Sequence, residues 1–165
     1  MPKNTFNNFF VSELQRLYGQ EKKLTRVLAR FGEAAKAPDL KSSFARELRE
    51  AETHINRLEE VFQAVGQKPA ARSCPRVDGM FEECDRVADL AAEPAVHDVA
   101  LLAAGQHFLH DEIAGYGCIR AWAQLLGKTH EADVLQKSLD EKKRMDEDWT
   151  RLSKAVNKEA VTLIT

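Results

Sequence analysis

The sequence predicts an all-α protein built as a bundle of four long helices, and two observations carry that prediction. Apolar residues recur in steps of three and four along four long segments, which is the spacing of one face of an α-helix. No segment shows the alternating pattern of a half-buried strand. At 165 residues, 44% of them hydrophobic, the chain is long enough to bury a substantial core. We therefore predict a single domain over residues 1–165.

The first helix is predicted from about Thr5 to Ala35, and a carboxylate interrupts its apolar seam. The seam positions are Phe10, Leu14, Leu17, Glu21, Leu24, Leu28 and Phe31. Burying an ionised carboxylate without partners costs several kcal/mol, as an order of magnitude. The facing helices must therefore supply a partner for Glu21.

Proline, glycine and capping residues divide the rest of the chain into one short and three long helices. The predicted elements are a second long helix at about Asp39–Val65, a short helix after Asp78 that ends before Pro94, a third long helix from Pro94 to Leu126, and a fourth after Thr129. Gly66 and Gly127 are the expected helix stops. Asp78 and Thr129 are the expected N-caps. The tail after Lys154 carries little pattern.

The short helix has a topological meaning. A bundle whose second and third long helices run parallel needs a crossover between them, whereas an up-down-up-down bundle does not. Four long amphipathic helices with one crossover make the ferritin-like plan, so we predict a ferritin-like four-helix bundle.

Polar residues of the first two helices are expected to meet near the middle of the bundle. Antiparallel neighbours pair by reflection about their turn, and the first turn is centred near residue 37. Position 21 then lies opposite position 53, a level bracketed by Glu50 and His54. These two residues share one helical face because they are four residues apart.

The last two helices are expected to bring further charges to that level. With their turn centred near residue 128, Glu112 lies level with both Lys142 and Asp146. All these positions fall within roughly one turn of the bundle midpoint, at about 1.5 Å per residue.

Inward carboxylates on four helices, with a histidine, are typical of di-iron and di-manganese carboxylate bundles. Two divalent cations need several anionic oxygens, and imidazole suits iron. The candidate metal ligands are Glu21, Glu50, His54, Glu112 and Asp146. Lys142 is a cation among them, so the site could also be metal-free, with Lys142 in the metal position and donating hydrogen bonds to Glu21, Glu50 and Asp146.

The chain resembles the YciE/YciF-type ferritin-like stress proteins over about residues 6–155. The most specific segments are YGQEKKLTRVLA around Glu21, the helix around Glu50, Cys74 before GMFEE, and HDEIAGYG at 110–117. The family is similar to rubrerythrin in fold. The resemblance implies a carboxylate-bridged metal protein associated with bacterial stress, and it implies no settled activity.

Two positions depart from the pattern of this family. Relatives typically read EHYEIAGYG where this chain has Leu109 in place of the first Glu, and EEEKATD where this chain reads DEKKRMD. The second change places Lys142 where a Glu is usual. Together the two changes remove two carboxylates and add one cation at the level of the site.

Composition excludes several classes of function. The net charge of −2 gives no basic footprint for nucleic acid, and no apolar run approaches the roughly 18–20 residues that span a bilayer. The N-terminus lacks the layout of a secretory signal, and three cysteines without zinc-like spacing favour reduced thiols, so we expect a cytoplasmic protein.

Three hypotheses remain at this stage, and whether the protein is an enzyme stays open. The first is a metal-binding protein with an iron or manganese site of oxidase or peroxide-reducing activity. The second, which Leu109 and Lys142 favour, is a non-enzymatic stress protein with a degenerate site and at most weak metal binding. The third is a helical interaction module, expected to be a homodimer through an exposed helix face.

Overall fold

Five helices account for the fold. The structure, a computed structural model, describes the backbone of residues 2–162 and the side chains of residues 5–162. The helices are α1 (Pro2–Ala34), α2 (Pro38–Ala64), α3 (Pro75–Ala88), α4 (Pro94–Leu125) and α5 (Thr129–Thr162). Residues 2–162 contain no strand, so the all-α prediction is confirmed. The ends of the predicted domain, residues 1 and 165, lie outside the described residues.

The four long helices form the predicted ferritin-like bundle, with α3 as the crossover. Helices α1 and α2 pack as one hairpin and α4 and α5 as another, while α1 also packs on α4 and α2 on α5. Phe9 contacts Trp122 at one end of the α1–α4 pair. Asp98 accepts hydrogen bonds from the α1–α2 turn at the other end, so α1 and α4 are antiparallel. Helices α2 and α4 therefore run parallel, as the crossover requires.

The ends of the second and third long helices follow the sequence signals. Gly66 and Gly127 have φ values of 70° and 73°, the left-handed conformation in which glycine ends a helix at no steric cost. The residue that follows each glycine donates its backbone N–H to the carbonyl five positions earlier. Gln67 donates to Phe62, and Lys128 donates to Ala123. Both predicted stops are confirmed.

Three predicted boundaries are wrong. Helix α5 begins at Thr129, so this residue is the first of the helix and not the N-cap before it. Helix α3 begins at Pro75, one residue after an extended Cys74, and Asp78 lies inside its first turn instead of capping it. Proline at the first helical position has its φ preset, so it begins the helix before Asp78 can. Helix α5 continues to Thr162 through the tail after Lys154, where Val156 and Ala160 are buried at helical spacing.

The buried faces of α2 and α5 differ from the predicted seams by one residue at three places. Glu47 and His54 are buried on α2, although the neighbouring Leu48 and Ile55 are the more apolar candidates. On α5 the buried residue after Lys142 is Met145, and Asp146 lies on the flank of the helix. Spacings of three and four are both compatible with a helical face, so apolarity alone does not fix its phase.

Two apolar clusters form the core, one toward each end of the bundle. One contains Phe31, Phe44 and Trp149, and the other contains Phe10, Phe62 and Tyr116. The positions between them along the four long helices are occupied by buried charged residues. The site therefore lies at the middle of the bundle, enclosed by apolar side chains on both sides.

A buried carboxylate joins the two hairpins at one end of the bundle. Asp98 is 3% exposed and accepts the backbone N–H of Lys36 and of Ala37, each at 2.7 Å. These two groups lie just before α2 and would otherwise be unpaired donors at a helix start.

None of the helices within residues 2–162 has the length and apolarity that crossing a bilayer would require.

Gly105 on α4 is required by the ring of Trp149. A Cβ atom at residue 105 would lie 2.8 Å from Cζ3 of Trp149, whose Nε1–H donates to Ser43 Oγ at 2.8 Å and so resists displacement. We expect Gly105→Ala to lower the free energy of unfolding by about 1–3 kcal/mol, the usual cost of overpacking. Gly79→Ala in α3, where nothing lies within 4 Å, should instead stabilise by about 0.5–1 kcal/mol. Urea unfolding checks both variants, and equal effects would contradict this account.

A buried lysine at the candidate metal centre

Lys142 of α5 lies at the middle of the bundle with its ammonium group among three glutamates from three other helices. Its Nζ is 3.3 Å from Glu21 Oε1 on α1, 2.7 Å from Glu47 Oε1 on α2 and 2.8 Å from Glu112 Oε2 on α4. The Lys142 and Glu21 side chains are 0% exposed, and Glu47 and Glu112 are each 1% exposed as residues. One ion-pair cluster therefore joins all four long helices.

Helical spacing explains why these residues converge. Glu47 and His54 are seven residues apart on α2, which places them two turns apart on one face. Glu21 replaces an apolar residue in the seam of α1, and Glu112 and Lys142 lie at one level of the α4–α5 hairpin, as their distance from its turn predicts. The sequence therefore determines the level of each charge along the bundle.

A second layer of polar groups surrounds Glu21. The Tyr116 hydroxyl donates to Glu21 Oε1 at 2.8 Å, and His54 Nδ1 lies 3.4 Å from the same oxygen without the geometry of a hydrogen bond. The other ring nitrogen, His54 Nε2, is 2.9 Å from Glu141 Oε2. Arg57 in turn donates to Glu141 from both of its terminal nitrogens. A chain of polar contacts thus leads from the buried cluster to the half-exposed Glu141.

The three glutamates do not share the charge equally. Burial alone would raise the pKa of Glu21, but Lys142, His54 and the Tyr116 hydrogen bond together lower it to about 2. Burial, followed by the negative charge of Glu21, raises the pKa of Glu112 well above its ordinary value of 4.5. The three carboxylates raise the pKa of Lys142 although burial opposes this. Lys142 is therefore a cation, Glu21 an anion, and Glu112 the carboxyl that holds its proton more readily.

The structure brings together some of the predicted ligands and separates the others. Glu21, His54 and Glu112 are buried at the centre. Glu50 is only half-buried. Asp146 lies on the flank of α5, with its Oδ1 2.7 Å from Nε2 of the exposed His110. Among the ion pairs of residues 5–162, Lys142 has neither Glu50 nor Asp146 as a partner. The expectation that Lys142 would bind both is wrong, because α2 and α5 turn Glu47 and Met145 inward in their place.

Glu47 is the central residue that the sequence interpretation missed. The neighbouring Leu48 looks like the better seam residue by apolarity, and Glu47 falls in a charged run. A signal was nevertheless present, because Glu47 lies one heptad before His54, which was already a candidate. A buried lysine needs several carboxylates, and that requirement favours the phase containing Glu47.

The donor set does not fit a pair of divalent metal ions. The Lys142 ammonium lies within hydrogen-bonding distance of the carboxylate oxygens that would face the metals. Among residues 5–162, no group of three or more His, Cys, Asp or Glu side chains is arranged to hold a metal.

A small cavity adjoins the cluster. Glu47 and Glu112 line it together with Leu109, and it offers about 10 Å³ of room for the centre of a water molecule. That space is about what one water needs. Glu47 Oε2 and Glu112 Oε1 are buried without a hydrogen-bond partner among the described residues. The unpaired oxygens are therefore compatible with one water, and the cavity leaves little room for two hydrated metal ions.

Comparisons with known proteins agree on one family. Residues 5–162 match the family described as "Domain of unknown function (DUF892)". The chain is 33% identical to the Escherichia coli K12 protein YciF over 162 residues, which cover 97% of this chain and 98% of YciF. The crystal structure of YciF, described as a stress protein, superposes with a TM-score of 0.89 at 31% identity, over 93% of this chain and 97% of that one.

Two further solved structures share the fold. A Rhodopseudomonas palustris protein, YcfI, which is proposed to be a structural protein, has a TM-score of 0.85 at 33% identity over 88% of this chain and 92% of its own. A Xanthomonas campestris protein has a TM-score of 0.77 at 16% identity, over 95% of this chain and 97% of its own. At that identity the second likeness concerns the fold alone.

Replacing Lys142 by methionine should destabilise the fold strongly. Methionine fills a similar volume but leaves Glu21 as a buried anion without its cation, a change that costs about 3–5 kcal/mol. Lys143→Met, at the exposed neighbouring position, should stay within about 0.5 kcal/mol of the wild type. Urea unfolding followed by tryptophan fluorescence measures both. A Lys142→Met protein as stable as Lys143→Met would show that the ammonium is not needed.

Neutralising Glu21 and neutralising Glu112 should have unequal effects. Glu21→Gln removes an ionised partner of Lys142 and should cost several kcal/mol at neutral pH. Glu112→Gln should cost much less, because the amide resembles a carboxyl group that keeps its proton. Unfolding free energies of both variants at neutral pH test this ranking, and the reverse order would contradict it.

The pH dependence of these two variants should have opposite signs. The folded-state pKa of Glu21 is depressed, so its stabilisation is present above the ordinary value of 4.5 and is lost as the pH falls toward about 2. The difference in unfolding free energy between the wild type and Glu21→Gln should therefore decrease as the pH falls through that range. The folded-state pKa of Glu112 is raised, so ionisation costs stability as the pH rises above 4.5. The unfolding free energy of Glu112→Gln should therefore increase relative to that of the wild type as the pH rises. Unfolding free energies measured across the acid range check both trends.

Proposed function

This chain belongs to the DUF892 family, and we propose that it is a stress-associated ferritin-like protein without catalytic metal chemistry. In this proposal the core cation is the Lys142 ammonium, which neutralises the inward carboxylates in place of iron or manganese. The observation that carries the proposal is the set of three glutamates within 3.3 Å of Lys142 Nζ, one from each of the other long helices.

Electrostatics supports this proposal over a di-iron or di-manganese protein. A divalent ion about 4 Å from an ammonium is repelled by on the order of 8 kcal/mol at an effective dielectric constant of about 20. The raised pKa of Lys142 opposes the release of its proton, which would otherwise relieve the repulsion. The side chain is also fully buried, so leaving the site would break three contacts at once. Weak binding of one metal at the surface is compatible with this account, whereas two metals in the core are not.

The association with stress rests on the relatives. YciF of Escherichia coli is described as a stress protein, and the alignment with it covers nearly the whole of both chains. The Rhodopseudomonas palustris relative is described in structural and not catalytic terms. A stable helical protein with no catalytic core metal agrees with both descriptions.

Metal analysis of the purified protein tests the proposal directly. Protein grown with iron and manganese supplied, and purified without chelator, should contain neither metal in stoichiometric amount. Changing Leu109 and Lys142 together to Glu should raise the metal stoichiometry, since the first change adds a carboxylate at the small cavity and the second removes the competing cation. Inductively coupled plasma mass spectrometry on folded, gel-filtered protein gives the readout.

The matched control places the same charges away from the core. Lys143→Glu with Val161→Glu changes two exposed positions of α5 by the same net charge and should leave the metal content unchanged. Two metals per wild-type chain would overturn the proposal. An unchanged stoichiometry in a folded Leu109→Glu, Lys142→Glu protein would show that the cluster is not a former metal position.

A further inference from the structure

A basic pocket lies between the middle of α1 and the segment that leads into α3. Its volume is about 320 Å³, at the lower end of the range of small-molecule sites. We call it the crossover pocket, and its polar lining consists chiefly of Arg16, Lys22, Lys23, Arg72, Cys74 and Asp78. Four of its lining residues are cations and one is an anion, although the whole chain has a net charge of −2.

The carboxylates around the crossover pocket do not balance its cations. The ion pairs at its rim are Arg16 and Arg72 with Glu13, Arg16 and Arg76 with Asp111, and Lys23 with Asp78. Lys22 takes part in no ion pair within residues 5–162, and its Nζ lies 5.2 Å from the centre of the Tyr18 ring. Five cations therefore share three carboxylates, which leaves an excess of two positive charges.

Two other surface pockets provide the comparison within the same molecule. A pocket of about 480 Å³ between α2 and α5 is lined by two arginines and two aspartates. A neighbouring pocket of about 310 Å³ is lined by two arginines and three acidic residues. Neither has a positive excess, so the charge of the crossover pocket is not a general property of this surface.

Contacts with α1 hold the segment that forms one wall of the crossover pocket. Arg72 donates its backbone N–H to the carbonyl of Gln15 and its Nε–H to the carbonyl of Ser12, each at 3.1 Å. The segment approaches α1 closely because residue 19 is glycine, where a Cβ atom would lie 3.2 Å from Cβ of Ala71. The cations therefore line a preformed pocket, which lowers the entropic cost of binding a ligand.

We propose that the crossover pocket binds a small organic molecule that carries a phosphate monoester group. Such a group has a charge of about −1.5 to −2 at neutral pH and three acceptor oxygens, so it matches the excess of two positive charges. Guanidinium and ammonium groups are the side-chain groups that proteins use to bind phosphate. Lys22 and Arg72 are the expected contacts, since Lys22 has no carboxylate partner and Nη1 of Arg72 has no hydrogen-bond partner among the described residues. The rest of the pocket accommodates the organic part of the ligand.

Cys74 lines the crossover pocket, so its alkylation reports whether the pocket is occupied. Saturating ribose 5-phosphate or inorganic phosphate should slow the reaction of Cys74 with iodoacetamide, an uncharged reagent, by at least about fivefold. Cys118 is exposed on α4, outside the pocket, and its rate should stay unchanged in the same sample. Peptide mass spectrometry measures both rates. Ribose, and potassium chloride at the same ionic strength, should give no protection. Equal protection by either of these, or no protection by either phosphate compound, would overturn the proposal.

A charge reversal at the exposed Lys22 tests the electrostatic argument. Lys22→Glu cancels the positive excess and should raise the dissociation constant for ribose 5-phosphate by at least about tenfold. Lys143→Glu makes the same change at an exposed position of α5 and should leave that constant unchanged. Isothermal titration calorimetry at fixed ionic strength measures both, with circular dichroism to check folding. Equal affinity in Lys22→Glu and the wild type, or tighter binding of citrate than of ribose 5-phosphate, would contradict a phosphate site. Neither outcome depends on the metal content of the core.

Discussion

The burial of one ammonium group among three carboxyl groups is the constraint on which this structure depends. Lys142 contacts a glutamate on each of the other long helices, so the four helices cannot slide or rotate without separating charges in an apolar core. Desolvating four ionisable groups is expensive, and the attraction between them offsets the cost only when the geometry is good. The cluster therefore supports one particular alignment of the helices more than it adds to overall stability.

The distribution of protons among the carboxyl groups lowers the energetic cost of burying the cluster. One cation surrounded by three full anions would leave excess negative charge in the core. The high pKa of Glu112 reduces that excess, because this carboxyl group tends to keep its proton. The low pKa of Glu21 keeps that group ionised beside Lys142. His54, between Glu21 and Glu141, connects the cluster to a half-exposed ion pair with Arg57. The buried charge is thus balanced partly within the core and partly at its edge.

The same bundle plan can serve metal chemistry or structural stability, and few positions separate the two. A carboxylate at position 142 would face Glu21, Glu47 and Glu112, whereas the lysine present there is attracted by all three. This local change of charge supports our proposal of a stress-associated protein without a catalytic core metal.

The sequence by itself determined the number and order of the helices, the stops at Gly66 and Gly127, the crossover, and the level at which Glu21, His54, Glu112 and Lys142 meet. Those features depend on local periodicity and on distance from a turn, both of which can be counted along the chain. Only the tertiary structure decided which neighbour at that level turns inward, Glu47 instead of Glu50 and Met145 instead of Asp146. The physical reason is that a rotation of a helix by part of a turn changes little in its apolar spacing. It changes completely which charge faces Lys142, and that choice follows from the packing of all four helices together.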